Sequence, residues 1–347
     1  MLYIITFLTK NMQQCKKCVL AEHKPDIWLN DKGICNACID FEKRKSEENN
    51  ILLESELIKI LNKYRGKGKY DCLVMCSGGK DSTSSLYYMK KRYKLNPLAF
   101  TFEHGFENEE AIANVKRAVS ILNVDWLYFE STFMKDLFAE IIKTKSKAPV
   151  CPLCSMWYMG VTYEIAAHYN IPLIIAGWTR GQLIKESAGG RLASELEFMS
   201  MTKAVTDFVK HIRKIPKYKD FPESMKEVTD RARKKHKTTV ISPHWFLNDD
   251  PEDYQKLIKK ELEWKPTEVS YPKNSTNCYL NFLGVYLSMK YYGFTHYHIE
   301  MAKLIRSGEL SREEALRDLE INFDEKPMKS ILESVIKKLG CSFEDIA

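Results

Sequence analysis

The run Cys76-Ser77-Gly78-Gly79-Lys80-Asp81-Ser82 places two glycines, two hydroxyls, an ammonium and a carboxylate side by side. Glycines let the backbone approach a bound group closely, because no Cβ intervenes. Ser77 and Ser82 add hydroxyl donors, Lys80 adds a point charge, and Asp81 could hold a magnesium ion. Such a set suits a phosphate group. The spacing is not that of the Walker loop, which needs four residues between its first glycine and its Gly-Lys pair. A second set is Cys15-Lys16-Lys17-Cys18 followed by Cys35-Asn36-Ala37-Cys38, with Gly33 ahead of the second pair. Those intervals match a four-thiolate zinc site, with an iron–sulfur centre as the rival. The site keeps no open position, so its expected role is to hold a short segment together. A third set is Cys151-Pro152-Leu153-Cys154, which Cys278 is well placed to join. Three thiolates would leave one position open on a metal or cluster. The bland alternatives are cysteines packed as small hydrophobes, or thiol chemistry without metal.

The elements around these residues predict how they are placed. Asp71 to Cys76 is short and apolar and reads as a buried parallel strand, with a helix following from Thr83 to Tyr93. The glycine run therefore sits at a strand-to-helix turn, where free N–H groups and the helix dipole favour an anion. Further strands are expected at Leu98–Phe102, Asp125–Phe129 and Leu173–Ala176, alternating with helices at Glu107–Leu122, Phe133–Lys145 and Ser155–Tyr169. The alternation implies an α/β fold with a parallel sheet and right-handed crossovers. Ligands of such sheets sit beyond the carboxyl ends of the strands, where the loops after Cys76, Phe102 and Ala176 lie. A charged amphipathic helix is expected from Phe41 to Leu61, and Arg65 to Lys69 reads as a linker. Ser187 to Gly190 reads as a flexible loop able to close over substrate. From Ser242 onward the chain is helix-rich and aromatic-rich, with a glycine cap at Gly308 and a capping box from Ser311. Its histidines read as satisfied core groups. The expected units are 12–66 (four-cysteine knuckle and helix), 67–215 (main domain) and 216–347 (helical C-terminal region).

Composition narrows the setting. The chain of 347 residues is 44% hydrophobic and 29% charged, with a formal net charge of +7. That balance suits a soluble globular protein with an anionic partner: ATP, a nucleotide sugar or RNA. The basic stretch Lys203 to Lys237 lacks interleaved aromatics, so it reads as a solvated helix face rather than an RNA platform. No apolar run has the length of a membrane span. The opening Met1 to Leu8 is too short for one, and Met12 is the favoured natural start. Ten cysteines, four of them in the first two close pairs, point to metal in a reducing compartment, hence a cytoplasmic protein without disulfides.

The Ser77–Ser82 loop resembles that of the PP-loop ATP pyrophosphatases, the SGGxDS superfamily with a Rossmann-like, adenine nucleotide α-hydrolase-like domain. The resemblance implies that Thr101, Phe102 and Gly177 line the adenosine, and that Thr179, Arg180 and Gln182 face the phosphates or the acceptor. It narrows when the four-cysteine knuckle, Cys151-Pro152-Leu153-Cys154, Gly177-Trp178-Thr179 and the segment Leu304 to Ala315 are taken together. This set is similar to the N-acetyl sugar amidotransferases of surface-polysaccharide and flagellin-glycan pathways. Their activity would be ATP-dependent adenylation of the acetamido oxygen of an anionic, nucleotide-linked sugar, followed by displacement of AMP by ammonia. Lys80 and Arg180 would then stabilise the departing pyrophosphate, with Asp81 on magnesium. No cysteine sits in a glutaminase-type motif, so a separate glutaminase subunit is expected to supply ammonia. Membrane and nucleic acid are not expected as partners, and oligomerisation is left open. The alternative is a tRNA thiolase of the same superfamily, some members of which hold an iron–sulfur cluster on three cysteines. A zinc-knuckle nucleic-acid module would leave the phosphate loop unexplained.

Overall fold

Short runs of apolar residues between polar turns form the centre of the molecule. The computed structural model describes residues 13–44, 53–184, 191–192, 199–272 and 278–346. The expected lid at Ser187–Gly190, the proposed start at Met12 and the residues just before Cys278 lie outside them.

Five parallel strands, β1 (Cys72–Met75), β2 (Pro97–Glu103), β3 (Trp126–Glu130), β4 (Leu173–Ile175) and β7 (Thr239–Ile241), form one sheet in the order β3-β2-β1-β4-β7. The pieces β5 (Leu183–Ile184) and β6 (Arg191–Leu192) pair antiparallel as a separate ribbon. Leu73 pairs with Leu98 on one side and Ile174 on the other, so β1 is central. Its alternation divides two cores, as a strand covered on both faces requires. Cys72 and Val74 join Ile175 and Ile241 in a core closed by α2 (Glu54–Tyr64), α3 (Lys80–Tyr87), α4 (Glu109–Leu122) and α9 (Pro251–Leu262). Leu73 joins Leu98, Phe100 and Ile174 in the other, with α5 (Phe133–Lys143) and α6 (Val150–His168). That core runs on through α7 (Met199–Ile212) and α8 (Met225–His236) into the C-terminal helices α10 (Leu280–Tyr292), α11 (His296–Ser307) and α13 (Lys326–Lys338). The short helix α12 (Arg312–Asp318) begins with the expected capping box at Ser311, and Gly308 ends α11 with φ +79°.

The strand order reverses between β1 and β4. Such a switch point opens a crevice at the strands' carboxyl ends, and the loops after Met75 and Ile175 both emerge there. Several boundaries differ from the sequence expectation for physical reasons. The helix after β1 begins at Lys80, directly after the extended backbone of Gly79, and it ends in a π-helical turn, Tyr88–Arg92. The helix with the second cysteine pair begins at Val150, so Cys151 and Cys154 occupy its first turns and Pro152 is tolerated there. Of the expected helix 41–61, the described residues form α1 (Asn36–Arg44) and α2, and 45–52 lie outside the described residues. Strand β7 is only three residues long and carried too little periodicity to be read.

At the N-terminus the four cysteines are fully buried and converge. The Sγ atoms of Cys18 and Cys35 lie 3.7 Å apart, and those of Cys15 and Cys38 4.0 Å apart. Tetrahedral zinc with Zn–S bonds of about 2.3 Å sets its sulfurs roughly 3.8 Å apart, so the cradle fits the ion. Backbone N–H groups of Lys17, Cys18 and Cys35 point at Cys15 Sγ at 3.3–3.5 Å, the direction expected toward a thiolate. Several polar contacts tie the knuckle to the body. The Arg312 guanidinium donates to the carbonyls of Cys15 and Cys18, and Asp26 accepts from the Met199 and Ser200 N–H groups at the start of α7.

Replacing Cys15 by Ser should remove about one equivalent of metal per chain and lower the thermal midpoint by at least about 5 °C. Elemental analysis and calorimetry check this; unchanged metal content would refute the assignment.

Candidate functional site

The site begins with the way β1 ends. Cys76 N–H donates to the Phe100 carbonyl at 2.7 Å, and the Thr101 hydroxyl donates to the Cys76 carbonyl at 2.6 Å. Trp126 Nε1 donates to the same hydroxyl oxygen at 3.0 Å. Thr101 is thus committed to fixing the strand end, and its side chain is buried.

The chain then turns through Gly78 at φ +81°. A Cβ there would lie 2.0 Å from the carbonyl oxygen of Ala111 on α4, so only glycine fits on both counts. The Gly78 carbonyl accepts from Trp264 Nε1 at 2.9 Å and from Asn114 Nδ2 at 3.2 Å. Gly79 occupies the N-cap of α3 and supplies no side-chain cap, an arrangement that suits an anion at the helix start. Ser82 Oγ reaches back to Ser77 Oγ at 3.1 Å, and the Ser77 N–H donates to it at 3.2 Å. From the other side Gly177 presses on the same turn: a Cβ there would be 2.5 Å from Ser82 Cα.

Lys80 Nζ contacts both oxygens of Asp81, at 2.9 and 3.0 Å, and Tyr254 donates its hydroxyl to the same carboxylate. Burial alone would raise the Asp81 carboxyl; the Lys80 ammonium, His244 and Tyr254 outweigh it and hold the group below its ordinary value. His244 Nε2 lies 3.0 Å from the Asp81 carbonyl and near the hydroxyls of Ser84 and Ser85. Burial lowers its affinity for a proton, and from this position it braces the first turn of α3.

The loop after β4 is engaged by the C-terminal region. The Thr179 hydroxyl donates to Glu300 at 2.6 Å, and its N–H to Gln182 Oε1 at 2.9 Å. Arg180 donates to the Leu247 carbonyl at 2.8 Å and lies 3.5 Å from Glu309.

A cavity of about 320 Å³ opens beside the phosphate loop. It brings together Cys76, Ser77, Ser82, Phe102 and Gly177 with Cys151, Cys154 and Cys278. Gly78, Gly79, Lys80, Asp81, Thr101, Thr179 and Arg180 do not line it. The three sulfurs do not close to single-ion distance among the described residues. Instead, Cys278 meets His104 and Glu107. Burial pushes the Cys151 thiol up to about 11, and those of Cys154 and Cys278 well above the ordinary value. Sequence reasoning missed Asn114, Tyr254 and Trp264 as supports of the loop. Trp264 and Tyr254 lie far along the chain in no motif, and only an alternative packing partner in three dimensions reveals them.

A parallel sheet that reverses order beside a Ser-Gly-Gly-Lys-Asp-Ser turn at the start of a helix is the arrangement that the resemblance to the PP-loop ATP pyrophosphatases implies. Residues 276–346 match the family described as LPS biosynthesis protein WbpG-like, C-terminal domain. The chain is also similar to the uncharacterised protein MJ1599 of Methanocaldococcus jannaschii, 28% identical over 318 residues that cover 88% of this chain and 93% of that one. Among solved structures, the U34-tRNA thiolase NcsA from Methanococcus maripaludis with its [4Fe-4S] cluster is 17% identical at a TM-score of 0.36, covering 90% of this chain and 91% of that one. The NMN synthetase from Francisella tularensis is 11% identical at a TM-score of 0.39, covering 82% and 93%. No helix among the described residues is long and apolar enough to cross a membrane.

Gly78→Ala should weaken binding of ATP or pyrophosphate by about 100-fold, since strain and the Ala111 clash together exceed about 3 kcal/mol. Titration calorimetry on variant protein with wild-type circular dichroism checks it; unchanged affinity would mean the turn does not hold phosphate.

Proposed function

We propose that the protein is an ATP-dependent amidotransferase that converts the N-acetyl group of a nucleotide-linked sugar to an acetamidino group, releasing AMP and pyrophosphate, in lipopolysaccharide or flagellin-glycan synthesis. One observation carries this reading. The cavity that Ser77 and Ser82 line is also lined by Cys278, Leu280, Asn281 and Tyr297, all inside the WbpG-like region. The acceptor is thus read by the part of the chain matched to polysaccharide synthesis, beside a loop built for phosphate.

An amide oxygen leaves poorly, so it must first be activated. The acetamido oxygen attacks the α-phosphorus of ATP, and the bond from that phosphorus to the bridging oxygen breaks. Pyrophosphate departs over the N–H groups of the α3 start. Ammonia then adds to the imidate carbon, AMP leaves with the original oxygen, and loss of a proton gives the amidine. Lys80 exchanges its contact with Asp81 for the pyrophosphate oxygens as charge develops. Asp81, so released, would hold magnesium, which would supply further neutralisation of that charge. Arg180 can add to it only by giving up Glu309. Phe102 and Gly177 border the nucleotide, and Thr101 holds Cys76 beneath it. Ammonia comes from a separate glutaminase subunit.

A second reading is favoured by the three cysteines on the cavity wall: a thiolase that adenylates a tRNA base and lets sulfur displace AMP. Incubation with ATP, an ammonium salt and a panel of acetamido sugars should give AMP and a product lighter by about one mass unit, oxygen exchanged for NH. Formation of ADP and orthophosphate would overturn both readings. Salt-sensitive tRNA binding with sulfur incorporation would replace the first by the second.

A further inference from the structure

The end of β2 carries a second cluster of ligand-type side chains that the adenylation chemistry does not use. His104 follows the strand directly, Glu107 lies in the turn before α4, and Cys278 pairs with Glu107 as an isolated antiparallel bridge. The Tyr279 N–H donates to the Phe106 carbonyl at 2.8 Å and tightens that bridge. His104 Nε2 is 3.5 Å from Cys278 Sγ and 3.5 Å from Glu107 Oε1, and the three ligand atoms all lie within 4.8 Å of one another. All three residues line the cavity.

The separation from Glu107 is long for a nitrogen–oxygen hydrogen bond, while that from Cys278 is within the reach of sulfur. Both also match the edges of a coordination tetrahedron. Bonds of about 2.3 Å to sulfur and 2.0–2.1 Å to nitrogen and oxygen at the tetrahedral angle put N and S roughly 3.6 Å apart and N and O roughly 3.4 Å apart. The imidazole is 5% exposed and gripped by the rings of Phe102, Phe106 and Phe138, and its Nε2 faces Cys278 and Glu107.

We propose that His104, Glu107 and Cys278 hold a divalent ion of zinc type, whose fourth position opens into the cavity shared with Ser77 and Ser82. One nitrogen, one carboxylate oxygen and one sulfur suit a borderline ion, and three protein ligands mark an open rather than a sealed site. The site would polarise a carbonyl oxygen of the acceptor before it meets ATP; this role, unlike the binding, rests on the amidotransferase reading. Because Cys278 is shared, the ion excludes a cluster on Cys151, Cys154 and Cys278.

The full chain purified from zinc-supplemented culture should contain about two metal ions, one on the N-terminal cysteines and one here. Glu107→Gln, which preserves shape, and His104→Ala should each lose about one equivalent. Cys15→Ser should lose the other, and Cys151→Ser should keep both. Cobalt restored to chelated protein should show a thiolate-to-cobalt band that shifts in Glu107→Gln. A single metal ion in wild-type protein, whose count needs no variant to fold, would overturn the site while leaving AMP formation untouched. Iron with acid-labile sulfide that disappears in Cys151→Ser would overturn it as well.

Discussion

The molecule depends on one close approach of backbone to backbone, Gly78 against the carbonyl of Ala111. That contact fixes how near α4 lies to the phosphate turn. It also leaves the Gly78 carbonyl in the interior, where Asn114 and Trp264 reach it. Gly177 repeats the device from the opposite side against Ser82. Two loops from neighbouring strands, one helix start and one indole are therefore locked together. A cradle made in this way is rigid before it meets its ligand, which is the condition under which fixed dipoles stabilise developing charge most effectively.

Charge in the loop is stored rather than exposed. Lys80 and Asp81 satisfy each other, Tyr254 completes the carboxylate, and His244 braces the carbonyl of Asp81 from behind. Buried charges kept apart would be costly. Kept as a pair they can be separated by a ligand that offers anionic oxygens to one and a cation to the other. Arg180 follows the same logic at the rim, where Glu309 and the Leu247 carbonyl hold it.

Much of this was legible from residue order. The apolar runs around Leu73, Leu98, Leu127 and Ile174 declared the sheet, and the glycine-rich run at the first of them declared the switch-point loop. The four N-terminal cysteines declared their own convergence, because their intervals leave little geometric freedom. What escaped has a common cause. Trp264, Tyr254 and His244 act through contacts across more than 150 positions of chain, and no local pattern marks a tryptophan whose use is one hydrogen bond to a glycine carbonyl. The grouping of Cys278 with His104 and Glu107 escaped similarly: similar spelling pointed it toward Cys151 and Cys154, whereas a two-residue bridge carries it to the end of β2.

The Arg312 clamp links the first folded segment to one of the last. Its guanidinium closes over carbonyls at Cys15 and Cys18, almost three hundred positions upstream. On a ribosome these partners emerge at opposite ends of synthesis. The knuckle is thus fastened in two stages of synthesis, first when α7 arrives to meet Asp26 and again when the Arg312 segment reaches it.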